Sequence, residues 1–95
     1  MYYVYILQSQ KNGYLYIGCT SNINKRLEYH KSNKVPSTRK FLPVKLIYAE
    51  IFLNKKDAFN REKFLKTGWG RNYVKKTLHN FLQSVKILQG KTLTD

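Results

Sequence analysis

Residues 2–20 read YYVYILQSQKNGYLYIGCT, two runs rich in aromatic and aliphatic side chains separated by a polar stretch. Rings and branched side chains fit a pleated, half-buried surface, so residues 2–8 and 14–20 are expected to be strands. Lys11-Asn12-Gly13 between them carries the signal of a tight turn, and together the segments predict a β-hairpin. Side chains alternate across a strand. Tyr3, Tyr5 and Leu7 therefore share one face, while Tyr14, Tyr16 and Gly18 share one face of the partner.

Outward from the hairpin, Thr20, Ser21 and Asn22 offer N-caps for a helix reaching about Lys31, with Ile23 and Leu27 as apolar positions one turn apart. Arg26 and His30 have the same spacing and project side by side. Residues 34–43 hold Lys34, Arg39 and Lys40 with two prolines and read as a basic loop. Residues 44–52 (VKLIYAEIF) read as a third strand. Asn54 or Asp57 caps a helix over 55–66 whose inward face is Ala58, Phe59 and Leu65, with Glu62 inside that stripe. Gly68-Trp69-Gly70 interrupts the pattern, with Trp69 expected in the core and stacking on a base as its second reading. Val74, Leu78, Phe81, Leu82 and Val85 then mark one last amphipathic helix, and the residues from Gln89 onward look frayed. One domain over 1–85 followed by a tail over 86–95 is expected.

The composition bounds the function. Eighteen Lys and Arg face five Asp and Glu in 95 residues, a formal net charge of +13. Such an excess repels itself and suits a polyanionic partner, because phosphate neutralisation releases condensed counterions. Nucleic acid leads, and an anionic membrane surface comes second. The single Cys19 excludes an internal disulfide and a multi-cysteine zinc site. No signal peptide and no apolar run long enough to span a bilayer is visible, so a cytoplasmic protein is expected.

Hydrolysis of a phosphodiester needs a proton acceptor for the nucleophile, fixed positive charge at the phosphoryl oxygens and help for the leaving oxygen. The tyrosines, Arg26, His30 and Glu62 are the groups on offer. Among the acids, Glu28 and Glu50 read as solvated or strand-surface groups, Asp57 as a cap and Asp95 as terminal. Glu62 is the carboxylate whose helical position argues for inward orientation. A metal, if bound, belongs there, with water and phosphate oxygens filling a Mg²⁺-like shell.

These residues resemble the GIY-YIG endonuclease superfamily over roughly residues 2–80. Val4-Tyr5-Ile6 is a variant of the first triplet, with Tyr5 aligned to the functional tyrosine, and Tyr16-Ile17-Gly18 is the complete second triplet. Arg26 follows at the spacing of the catalytic arginine, His30 stands where the family has histidine or tyrosine, and Glu62 matches the metal-ligating glutamate. The chain looks like small single-domain members related to the N-terminal domain of the excision-repair endonuclease. Asn72 is the nearest match to the family's polar asparagine.

The resemblance implies an α/β (α+β) fold, a three-stranded antiparallel sheet flanked by helices. It also implies a one-metal site with Glu62 holding Mg²⁺ or Mn²⁺, Arg26 stabilising charge, Tyr5 as base, His30 as a competing base or a phosphate hydrogen-bond donor, and Tyr16 orienting water or Tyr5. Gly18, Lys34, Arg39, Lys40 and Asn72 are candidate nucleic-acid contacts. Lys45, Lys75 and Lys76 are further phosphate candidates that a solvated face explains as well. Phe41 is open between base stacking and packing. The expected partner is DNA, or else structured RNA, with no membrane and no organic cofactor. Because relatives draw substrate choice from attached domains, a partner protein supplying specificity is also expected. The competing readings are a nucleic-acid-binding module of the same fold with little cleavage of its own, and a ribosomal-RNA-binding protein.

Overall fold

β1 (Tyr2–Ser9) lies in the middle of an antiparallel sheet of order β2-β1-β3, with β2 at Leu15–Thr20 and β3 at Val44–Phe52. The computed structural model describes residues 1–32 and 34–89. Both faces of β1 are covered, which is why Val4 to Leu7 is an unbroken apolar run, all of it buried. Gly13 closes the hairpin at φ 81°, a conformation that favours glycine. Ser9 braces the turn: its Oγ accepts from the amides of Lys11 and Asn12 and donates to the Phe41 carbonyl at 2.6 Å. Tyr14 falls in the turn just before β2, exposed against the Phe41 ring.

The remaining elements are α1 (Ile23–Lys31), α2 (Pro36–Arg39), α3 (Lys55–Leu65), α4 (Gly68–Thr77) and α5 (His79–Gln89). One sheet face packs Val4 and Ile6 against Ala58 and Leu65 of α3 and Val74 of α4. The other packs Tyr5, Leu7 and Val44 against Ile23 and Leu27 of α1 together with Tyr16, Phe41 and Leu42. Asn22 is the cap of α1, accepting from the Lys25 amide, and Asn54 is the cap of α3, accepting from the Lys56 and Asp57 amides.

Several expectations are corrected. Residues 34–43 are not simply a loop: Pro36, whose fixed φ suits a first helical position, starts the single turn of α2 and buries Thr38. Phe59 is exposed under the Lys55 ammonium, because it sits about 100° round the helix from Ala58 and outside the inward stripe 58, 62, 65. Gly68-Trp69-Gly70 begins α4 instead of interrupting it. Thr67 caps that helix through the Gly70 amide, and a Cβ on Gly70 would overlap the Phe64 carbonyl and the Leu65 backbone. Trp69, one position off the inward Gly70–Val74 line, is 80% exposed and not in the core. The expected final helix is two, α4 and α5, divided at Leu78. The Val85 side chain and residues 90–95 lie outside the described part. Among the described residues no helix is long and apolar enough to cross a membrane.

Glu50 is not a solvated strand-surface acid either. The Arg61 guanidinium grips both its oxygens at 2.8 and 3.0 Å, and the Tyr48 hydroxyl donates to it at 2.6 Å. This fork ties α3 to β3. Burial alone would raise the Glu50 carboxyl, but the Arg61 and Tyr48 hydrogen bonds and the guanidinium charge hold it below the usual carboxylate range. A depressed folded pKa stabilises the fold above the unfolded value, near 4.3, and that stability is lost as pH falls through the folded value. The melting temperature of the wild type is therefore expected to drop more steeply below about pH 4.3 than that of Glu50→Gln. Parallel acid profiles would show that the fork does not hold α3.

Candidate active site

Tyr5 projects from the central strand into a gap left by its cross-strand neighbour, Gly18. The space a Gly18 side chain would fill is taken by the Tyr5 ring and hydroxyl, so this glycine makes room for the phenol. Tyr5 is 1% exposed, and its hydroxyl lies 3.0 Å from His30 Nε2. His30 is itself fully buried and comes from the last turn of α1. Its ring meets Tyr5 edge to face at 5.8 Å and Tyr16 at 5.2 Å between centroids.

The other imidazole nitrogen is consistent with one direction for these bonds. His30 Nδ1 is 2.8 Å from Thr38 Oγ1, and the Thr38 hydroxyl donates to the Val35 carbonyl at 3.3 Å. With its proton so engaged, Thr38 accepts from Nδ1–H, Nε2 keeps its lone pair, and the Tyr5 hydroxyl donates to it. A buried chain of hydrogen bonds thus runs from Tyr5 through His30 and Thr38 to the backbone.

Charge around the phenol comes from both sides. Burial first, then Tyr16, raise the Tyr5 pKa well above the ordinary tyrosine value; Arg26 pulls it down and Glu62 pushes it up. Burial and then Arg26 lower the His30 pKa, which favours a neutral imidazole. Glu62 lies on the α3 side, where burial and then this carboxylate raise the Cys19 thiol. Its carboxylate is bonded to Lys66 at 2.9 Å, one turn on, and not to Arg61 or Lys63. Tyr5, Tyr16 and His30 thus pack together, with Arg26 and Glu62 near enough to bias the charge on the phenol.

The other sequence candidates stand apart. Lys34, Arg39 and Lys40 are exposed on and beside α2; Lys34 lies over the Tyr29 ring and Lys40 over Phe41. Asn72 lines a separate surface hollow with Gly68, Trp69 and Arg71. Phe41 is packed in the Tyr5 core, half-buried. Thr38 went unnoticed in the sequence, where Pro36 marked a turn and nothing marked which side chain would face His30 eight residues back. Thr38→Val keeps the shape and leaves Nδ1–H unpaired, at a cost of about 1–3 kcal/mol. Thr38→Ser is expected to melt close to wild type and Thr38→Val several degrees lower, with equal melting as the outcome that removes the chain.

A sheet of this order, with paired tyrosines, an arginine, a histidine and a glutamate at one edge, has the architecture of a small nuclease domain. Residues 1–76 match the GIY-YIG catalytic domain, and the chain belongs to that family, a nuclease superfamily. It is similar to a UPF0213 protein of Bacillus licheniformis, 47% identical over 66 residues, which cover 68% of this chain and 67% of the relative. A UPF0213 protein of Streptococcus pneumoniae is 45% identical over 67% of this chain, and the match spans 65% of that relative's length. One from Clostridium perfringens is 36% identical over 100% of the chain and 90% of its own length. No solved structure matches the chain.

Proposed function

We propose that the chain is a metal-dependent endonuclease that hydrolyses phosphodiester bonds, with DNA as the first substrate to test and structured RNA as the next. The observation that carries this is the buried Tyr5 phenol bonded to His30 and flanked by Tyr16, with Arg26 and Glu62 near enough to bias its charge. Membership in a nuclease superfamily supports it.

Among the described residues no three His, Cys, Asp or Glu side chains gather into a metal cage. A single carboxylate is nonetheless a fitting donor set for Mg²⁺ or Mn²⁺, ions that keep several waters and take the rest of their shell from substrate phosphate. Glu62 would hold it, exchanging Lys66 for the ion. When bound, the ion supplies positive charge at the scissile phosphate and the leaving oxygen. Arg26 adds a fixed charge for the transition state. Water admitted beside the half-buried Tyr16 gives its proton to the Tyr5 oxygen while Tyr5 passes its own to His30 Nε2. This relay meets the difficulty that a buried phenol does not ionise alone. Thr38 keeps His30 in the tautomer that receives the proton.

A second reading, a nucleic-acid-binding module with little cleavage of its own, is favoured by the burial of Tyr5 and the Glu62–Lys66 ion pair, both of which must yield before the site can act. The deciding experiment incubates the protein with labelled single-stranded, duplex, flap and branched DNA and RNA in Mg²⁺, Mn²⁺ or chelator. Cutting with either ion and none in chelator is expected. Salt-sensitive binding without cutting on every substrate would replace the nuclease by the binding module.

A further inference from the structure

Trp69 is the chain's one tryptophan, and it stands 80% exposed at the start of α4. An indole offers a large flat apolar face with a polar edge, well suited to a partner that stacks on it. Its surroundings say what kind of partner fits. Trp69 shares a shallow hollow with Gly68, Arg71 and Asn72. Arg71 continues into a neighbouring cavity of about 320 Å³, whose walls include Leu15, Ile17 and Val74 and whose lining also takes in Lys66 and Tyr16. Lys66 is bonded to Glu62, and Tyr16 packs on His30. The two hollows thus share Arg71, and the larger one borders Tyr16 and Lys66, which touch His30 and Glu62. Cations line both hollows and no acidic side chain lines either.

We propose that Trp69 is a stacking platform for an unpaired nucleobase of the strand being cut, with Arg71 placed for the adjoining phosphate; this rests on the nuclease reading above. A base inside a duplex has both faces covered by its neighbours, whereas an unpaired base exposes one. An aromatic ring beside cations is how single strands are held with little sequence preference. A second copy of this chain is the poorer occupant, because a net charge of +13 sets like charge against like at this face. The platform directs the enzyme toward substrates with a single-stranded stretch beside the cleaved bond.

Because Trp69 is the sole tryptophan, its emission reports on this site alone. The test titrates the full chain, in chelator to prevent cutting, with an oligothymidylate of roughly 12 nucleotides and with a duplex of the same length. Binding is followed separately by the anisotropy of a dye-labelled probe. The single strand is expected to quench the tryptophan and the duplex to do so far less. Trp69→Ala, at an exposed position, should melt with the wild type yet bind the single strand about tenfold more weakly, while Trp69→Phe keeps most of the affinity. Anisotropy binding without quenching, and unchanged in Trp69→Ala, would overturn the platform and leave the nuclease reading standing. Equal quenching by the duplex would overturn the preference for unpaired bases. Failure of the wild type to bind either probe would overturn both, and quenching on raising protein concentration alone would give the face to a second copy.

Discussion

Glu62→Ala and Arg26→Ala are each expected to lower the rate of cleavage by about 10²–10³-fold, the usual loss when one group stabilising transition-state charge is removed. They should fail differently. Without Glu62 the ion has lost its protein ligand, so activity climbs back in part as Mg²⁺ or Mn²⁺ is raised. Without Arg26 the metal requirement stays the same and the maximal rate is low at every ion concentration. Neither change should unfold the chain, since Glu62 pairs with a Lys66 that is more than half exposed and such pairs stabilise little. A metal titration of the two variants beside the wild type checks this. Wild-type cleavage by Glu62→Ala would remove the metal from Glu62, and an Arg26→Ala defect cured by more metal would move Arg26 out of transition-state stabilisation.

Gly18→Ala should damage fold and activity together. The added methyl would overlap Cζ and the hydroxyl of Tyr5 inside a sheet whose strands are bonded to one another, so neither partner has room to yield. Overpacking of this kind costs about 1–3 kcal/mol. In a domain of this size each kcal/mol lowers the melting temperature by roughly 4–8 °C. Displacing the phenol also breaks its bond to His30, so cleavage should fall as far as in Tyr5→Phe, a variant that adds no bulk and loses only that buried hydrogen bond, at about 1–3 kcal/mol. Thermal melts and cleavage rates of both variants separate the two effects. A Gly18→Ala protein that melts and cuts like the wild type would mean that the phenol is not held where the gap places it.

Much of this architecture is legible in the residues. The two tyrosine-bearing runs, the third strand and the caps at Asn22 and Asn54 are local features, set by alternation and by short side chains that bond their own backbone, and they lie where the pattern puts them. The errors share a cause: each depended on what a segment packs against. Phe59 and Trp69 are apolar and sit beside inward positions, yet a single step along a helix turns a side chain out to water. Gly68-Trp69-Gly70 looks like a break because glycine weakens helices, whereas here Gly70 is required by the close crossing of α3 and α4. Glu50 shows its role only once Arg61, eleven residues away, is seen across from it. At the site, the spacing of Arg26 and His30 placed both on one helix face. Thr38, which bonds His30 Nδ1, had no local signature because its partner lies on another element.

The neighbours of Tyr5 across the sheet are the small residues Gly18 and Ala49, one on each side. A slip of one position would set the ring opposite Ile17 or Cys19 on one flank and Tyr48 or Glu50 on the other, and would turn the phenol into the layer that Ala58 and Leu65 fill. A misaligned hairpin thus loses the gap at Gly18 that seats the ring, which favours the native register before any chemistry is tried. The residue at the heart of the site also proofreads the alignment of the strands that carry it.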